Sequence, residues 1–284
     1  MRARFTASST AATGKITPMK LLVLDTSTEW CSAALWLDGQ IQARRVLAEQ
    51  RHSSLLLPMV DELLRAAGLT LRALDGIGYG AGPGSFTGLR IACAVTQGLA
   101  FGADLPVVGV STLESIAEQT GAGRVLRQDH PQEVGRGCKA DKSATTTHRP
   151  EGERLAAYPS RVLTVLDARM AEVYWAAYER DGAGWRAVSE PQLALPESVV
   201  VPDGSEWIGA GNGFAALGEV LRPRLAAALA RIDDTLMPDA AAMAPLAAAA
   251  FARGEGMDAA LAAPIYLRDK VALTVDERRQ KKSA

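Results

Sequence analysis

The sequence predicts an α/β protein built from two halves that begin alike. Three observations carry this. Short apolar runs alternate with helical stretches along most of the 284 residues. Two of these runs, 21–25 and 161–167, are continuous, end in an acid (Asp25 and Asp167) and lead into a hairpin. Between them, a third run at 77–79 feeds a glycine-dense turn and then a helix whose small residues Gly88, Ala92, Thr96 and Ala100 recur every four positions.

In chain order, 21–25 reads as a buried strand, followed by strands at 32–37 and 43–48 joined by a turn at Asp38-Gly39. A helix starts at His52-Ser53-Ser54. Its apolar residues Leu55, Leu56, Met59, Val60, Leu63 and Leu64 form two adjacent rows, with Pro58 in the opening turns and Gly68 as its stop. The glycine turn and the helix at about 86–101 come next, with Ser85 or Thr87 as cap. A short strand at 106–109 and a helix opened by Ser111-Thr112-Leu113-Glu114 complete the first half. Residues 128–154 mix charges with glycine, proline and Thr145-Thr146-Thr147 and have almost no large apolar side chain, so they read as a flexible insertion. The second half opens with 161–167, then strands at 172–178 and 185–188 and a further strand at 205–208. That last strand runs into Gly209-Ala210-Gly211-Asn212-Gly213. A helical segment over 214–230, an alanine-rich helix over 240–252 and an extended stretch at 264–268 follow. The expected organisation is a flexible extension (1–18), a first α/β lobe (19–120), a mostly flexible insertion and linker (121–159), a second α/β lobe (160–274) and a charged tail (275–284).

Composition removes several classes of function. A net charge of -1 gives no sign of a nucleic-acid coat or a membrane surface in the bulk balance, and leaves a local basic patch open. Cys31, Cys93 and Cys138 are odd in number and lack CxxC spacing, which fits neither a disulfide scaffold nor a thiolate metal site and points to a reducing, cytoplasmic setting. Residues 1–18 lack the apolar region of a secretory signal; their Arg- and Ser-containing, acid-free composition is compatible with a transit peptide, and the sharper alternative is a start at Met19. The apolar run 240–252 is too short to span a bilayer.

The glycine turn fits neither the Walker loop nor the dinucleotide fingerprint. A strand, a glycine turn and a helix N-terminus can hold an anion, and they can equally be a tight turn whose small residues serve packing. Asp25 and Asp167 sit where a strand emerges, the place for a carboxylate that positions a metal or water in a two-lobed nucleotide fold, although an acid there also forms turns. Candidates for a degenerate nucleotide cleft are therefore Asp25, Thr26, Ser27, Gly84, Ser85, Asp167, Gly209, Gly211 and Gly213. Motif support for nucleophilic catalysis or a metal site is lacking: two of the three histidines, His130 and His148, lie in the insertion, His52 stands alone beside Ser53 and Ser54, no glycine-framed nucleophile occurs to complete a Ser-His-Asp arrangement, and no HExxH occurs.

The run Gly-Pro-Gly-Ser-Phe-Thr-Gly-Leu-Arg at 82–90, preceded by Leu24-Asp25-Thr26-Ser27-Thr28, closely resembles the TsaB (YeaZ) family. His52-Ser53, Leu57-Pro58, Gly109-Val110-Ser111-Thr112-Leu113, Asp167-Ala168-Arg169 and Pro264-Ile265-Tyr266-Leu267-Arg268 extend the resemblance over 19–274. It implies the actin-like, sugar-kinase-like duplicated fold of the glycoprotease-like superfamily. It also implies a non-catalytic dimerisation and activating subunit of the complex that puts threonylcarbamoyl on N6 of adenosine 37 in tRNA. The partners so implied are the catalytic subunit TsaD, the ATPase TsaE and tRNA held by the complex, with ATP used by the complex and no cofactor on this chain. Self-pairing is implied for the chain alone. The surface implied for pairing is the two helices carrying His52, Leu55, Leu56, Met59 and Leu63, and Gly88, Ala92 and Thr96, though both faces also suit burial against the chain's own sheet. The insertion and the first eighteen residues depart from the family pattern. The rival readings are an actin-like ATPase or kinase using Asp25 and Asp167, and an endopeptidase using His52 and Ser53.

Overall fold

The computed structural model describes residues 18–121, 146–147, 159–182 and 184–268. The expectations for 1–17 and for the tail lie outside them. The first sheet is built on β1 (Lys20–Asp25), which is antiparallel to β2 (Trp30–Leu37), itself antiparallel to β3 (Gln40–Leu47). On its other side β1 is parallel to β4 (Gly76–Gly82), and β4 to β5 (Val107–Ser111). The side chains of β1 alternate between two covered faces. Leu22 and Leu24 join the core beneath α1 (His52–Ala66) and α2 (Phe86–Ala103), and Leu21 and Val23 join the core on the opposite face. Burial on both faces is why this strand is a continuous apolar run instead of an alternating one.

Helix α3 (Thr112–Gly121) leaves the first half, and the chain re-enters the same sheet at β6 (Thr146–Thr147), which pairs antiparallel with Ile41 and Gln42 of β3. β6 falls within the stretch that reads from the sequence as a mostly flexible insertion. The free edge of β3 offers unpaired backbone groups, and a two-residue strand takes up part of them. The rest of 128–154 lies outside the described residues.

The second sheet repeats the plan of the first. β7 (Arg161–Asp167) pairs antiparallel with β8 (Val173–Asp181), and β8 with β9 (Gly184–Ala194). β10 (Trp207–Ala210) is parallel to both β7 and β11 (Leu229–Asp233). The strand orders β5-β4-β1-β2-β3 and β11-β10-β7-β8-β9 are the same order counted from the start of each half. The likeness therefore extends past the opening hairpins, where the sequence pattern fades. The expected helix over 214–230 is corrected: it is two short helices, α4 (Gly213–Ala216) and α5 (Gly218–Leu225), and then β11. Gly218 and Pro223 favour short helical pieces, and the open edge of β10 recruits the following residues as a strand.

Helices α3 and α6 (Ala240–Ala252) are exchanged between the halves. Leu113, Ile116 and Ala117 of α3 pack on Val162, Leu166, Tyr174 and Ala176 of the second sheet. Ala240, Met243, Ala244 and Ala247 of α6 pack on Leu21, Val23, Ala34 and Val108 of the first. Asp239 caps α6 by accepting from the Ala241 amide at 2.7 Å. Among the described residues, no helix is long and apolar enough to cross a membrane.

Candidate functional site

The turn after β1 and the glycine turn after β4 are pressed together. The Ser85 amide donates to the Ser27 carbonyl at 2.7 Å, and the Thr26 hydroxyl to the Gly88 carbonyl at 2.6 Å. A Cβ on Gly88 would stand 1.9 Å from the Thr26 carbonyl oxygen, and one on Gly84 2.6 Å from that of Ser27. Glycine is required at both positions for backbone to meet backbone. Pro83 follows a cis peptide bond, and its carbonyl accepts from the Thr112 hydroxyl at 2.5 Å. Ser85 is the N-cap of α2, its Oγ accepting from the Gly88 amide at 3.4 Å. Of the two readings of this turn, close packing accounts for Gly84 and Gly88.

Asp25 is fully buried beneath this joint, with Gly80 so close that a Cβ there would lie 2.1 Å from Oδ1. Its carboxyl accepts from the Ser27 amide at 3.3 Å and the Ser27 hydroxyl at 3.1 Å. Burial pushes its pKa up to about 7, against the opposing pull of the Ser27 hydrogen bonds, with the Asp239 carboxylate adding a smaller upward push. Asp239 is also buried and raised, for the same reason, and pairs with Arg45 at 3.3 Å, whose guanidinium lies 4.2 Å above the Trp30 ring. No group of three or more His, Cys, Asp or Glu side chains suited to a metal occurs among the described residues.

An open cleft of about 600 Å³ separates the two halves. Of the nine sequence candidates, Ser27, Gly84, Ser85 and Asp167 line it; Asp25, Thr26, Gly209, Gly211 and Gly213 do not. The three glycines are spent on packing: a Cβ on Gly211 would sit 2.3 Å from the Val165 carbonyl oxygen, and on Gly213 2.6 Å from the Val165 side chain. Asp167 differs from Asp25 in being held at the cleft by Arg169 at 3.0 Å, while its amide donates to Asn212 Oδ1 at 2.9 Å. Sequence reasoning missed Glu29, Glu49 and Asn212 as cleft residues. Asn212 was within reach, inside the quoted Gly209–Gly213 cluster, whereas Glu29 and Glu49 carry no local signal. Among the described residues, the cleft carries carboxylates from Glu29, Glu49 and Asp167 against guanidinium groups of Arg169 and Arg268, both already paired, and no lysine. That balance disfavours a polyphosphate.

The helix residues implied for pairing face inward. Leu56, Met59 and Leu63 lie in the core under the first sheet, Leu55 packs on its margin, and Gly88, Ala92 and Thr96 are buried on the inner side of α2. His52 Nε2 donates to the Thr28 carbonyl at 2.9 Å, which fixes the start of α1 and commits that nitrogen away from any serine. The outward sides of the two helices expose Leu57 (48%) and Phe101 (86%) instead.

A two-lobed α/β protein whose two sheets repeat one strand order, with a cleft between the halves, belongs to the class of duplicated actin-like α/β folds. Comparison with known proteins narrows this. The chain is 37% identical over 258 residues to the tRNA threonylcarbamoyladenosine biosynthesis protein TsaB of Escherichia coli, covering 89% of this chain and 96% of that one. It is 32% identical to the protein of the same name in Haemophilus influenzae, over 89% and 95% of the two chains. The solved structure of YeaZ from Pseudomonas aeruginosa superposes with a TM-score of 0.69 at 35% identity, over 88% of this chain and 100% of that one. Another Pseudomonas aeruginosa structure, of an uncharacterized protein with similarity to peptidase YEAZ, gives a TM-score of 0.71 at 36% identity over the same shares. The family model for TsaD, tRNA N6-adenosine threonylcarbamoyltransferase, matches residues 46–131. The chain belongs to the TsaB (YeaZ) family.

Proposed function

We propose that this chain is a non-catalytic dimerisation and activating subunit of the complex that transfers a threonylcarbamoyl group to N6 of adenosine 37 in tRNA. The observation that carries the non-catalytic part is the sealing of Asp25 beneath the glycine turn, which leaves the β1 acid with no access to a ligand. The cleft is then a nucleotide cleft in degenerate form, and the chain needs no cofactor of its own. The partner is a TsaD-type catalytic subunit. The match to the TsaD family model over 46–131 takes in all of α1, β4, α2, β5 and α3, so the half bearing α1 and α2 is the half most like a catalytic relative. Pairing between two such halves through equivalent helices is a near-symmetric contact, and here it uses the outward faces, with Leu57 and Phe101 as apolar contacts and His52 and Leu55 at the margin. Self-pairing of the chain alone uses the same surface. The TsaE ATPase consumes the ATP, the assembled complex holds the tRNA, and the setting is cytoplasmic.

The test is reconstitution. This chain is mixed with a TsaD subunit, TsaE, tRNA, ATP and threonylcarbamoyl-adenylate, and modified adenosine is counted with and without it, beside the mass of the complex by light scattering. Dependence on the chain, with a partner-sized rise in mass, is expected. Absence of both refutes the proposal. ATP turnover by the isolated chain that vanishes in Asp25→Asn would replace it with an ATPase or kinase, and peptide cleavage lost in His52→Ala with an endopeptidase.

A further inference from the structure

We infer that residues 262–268 are a clasp that sets the mouth of the interlobe cleft, with Arg268 as its catch. The exchanged helices α3 and α6 join the halves outside the cleft. Across the mouth runs the extended stretch after α6, which lines the cleft from Ile265 to Arg268.

Its first end is tied to the first half by backbone. Gln97 Nε2 donates to the Ala262 carbonyl at 3.1 Å, and the Tyr79 hydroxyl accepts from the Ala263 amide at 3.0 Å and donates to its carbonyl at 3.2 Å. The Ile265 amide donates to the Ala81 carbonyl at 2.7 Å, extending the edge of the β4 turn. Tyr266 then stacks on Phe86, with ring centroids 5.4 Å apart, and its hydroxyl accepts from Arg90 Nε at 2.8 Å.

Its second end is Leu267, which packs at the margin of the second half's core, and the guanidinium of Arg268, which makes the polar contacts. Arg268 Nη2 lies 2.7 Å from Glu172 Oε2 and donates to the Ala168 carbonyl at 3.0 Å, so one side chain holds both ends of the β7–β8 turn. Nη1 lies 2.9 Å from the Met170 sulfur. The turn needs holding. Arg169, Met170 and Ala171 are three successive non-glycine residues in the left-handed region, with φ of 62°, 58° and 60°. L residues are disfavoured there because Cβ crowds the following carbonyl, and such a conformation persists where its surroundings over-determine it. The turn projects Arg169 and Met170 into the lip of the cleft. Arginine is suited to the catch because its planar fork reaches a carbonyl and a carboxylate together, which an ammonium on a flexible stem does not do. The clasp thus ties β4, through Tyr79, and α2, through Gln97 and Arg90, to the lip of the second half and makes the two halves one body at the mouth as well as at the exchanged helices.

The experiment uses the full chain with Cys138→Ser and nitroxide labels at Ala66→Cys on α1 and Ala215→Cys on α4, both exposed; Cys31 and Cys93 are buried. Pulsed electron spin resonance gives the interlobe distance, and amide exchange reports on 168–172. With Arg268 present, one narrow distance is expected. Arg268→Ala is expected to add a second distance population and to speed exchange of the 168–172 amides by about tenfold or more, the loss of a charged hydrogen bond. Tyr266→Phe is expected to leave the turn's exchange unchanged. An unchanged distance distribution and unchanged exchange in folded Arg268→Ala would overturn the inference. If that variant does not fold, Arg268→Lys and Glu172→Gln are read the same way: each removes half of the catch, and wild-type behaviour in both overturns it.

Discussion

Replacing Asp25 with asparagine should stabilise this protein increasingly as the pH rises. The side chain is fully buried, and its pKa is pushed up from the ordinary 3.8 to about 7, chiefly by burial. The folded chain therefore binds this proton more tightly than the unfolded chain. Between those two pH values it carries more protons than the unfolded state, so stability falls as pH rises. The contribution is fully present below the unfolded pKa and is lost as pH rises through the folded one. A displacement of this size corresponds to about 4 kcal/mol across the window, an order-of-magnitude figure. Asparagine keeps the volume and an acceptor for the Ser27 amide, and has no charge to bury. Glu114, in the first turn of α3 and raised to about 7 chiefly by burial, titrates in the same window but equally in both proteins, so it cancels in the difference. The assay is urea denaturation of wild type and Asp25→Asn at pH 5, 6, 7 and 8. Any constant offset from the substitution is uninformative; the growth of the variant's advantage with pH is the signal. A difference that stays flat over that range, or shrinks, refutes the assignment of Asp25 as a sealed carboxyl.

Two further substitutions separate packing from pairing. Gly88→Ala places a Cβ 1.9 Å from the Thr26 carbonyl oxygen, which has backbone on both sides and little room to yield. A loss of about 2–4 kcal/mol is expected, read as a fall in Tm, and an unchanged Tm would mean that the two turns are not in contact. Leu57→Arg, on the outward side of α1, is expected to keep Tm while weakening association with a TsaD subunit or a second copy, measured by light scattering. Leu56→Arg, one residue along and fully buried, is expected to unfold the chain by burying an unpaired charge. Equal effects of the two on Tm would contradict the orientation of α1.

Much of the fold was legible because its strongest signals are local. The run Leu21–Leu24 is apolar at every position because both faces of β1 are covered, and Asp38-Gly39 can only be a tight turn between strands. The four-residue recurrence of Gly88, Ala92 and Thr96 correctly signalled a close approach. What approaches is the chain's own first sheet and the Thr26 backbone, because periodicity says that a face is covered and not by what. The alanine-rich α6 shows the same limit more strongly. It is apolar nearly all round, so its pattern names no direction, and it crosses to the first sheet although it follows the second in sequence. β11 was hidden for another reason: Leu229–Asp233 becomes a strand because β10 offers an edge, which is a tertiary fact.

The sequence by itself determined an α/β chain of two similarly begun halves and the family to which it belongs. Only the tertiary structure decided between the two strand-end acids. Asp25 and Asp167 occupy the same place in their halves and look alike locally. The first is followed by a turn onto which Gly84 and Gly88 fold, so water is excluded and the acid is sealed. The second is followed by a left-handed turn clasped by Arg268, which leaves its carboxylate at the open cleft beside Arg169. Burial depends on what the rest of the chain places above a residue, and no window of neighbouring residues contains that information.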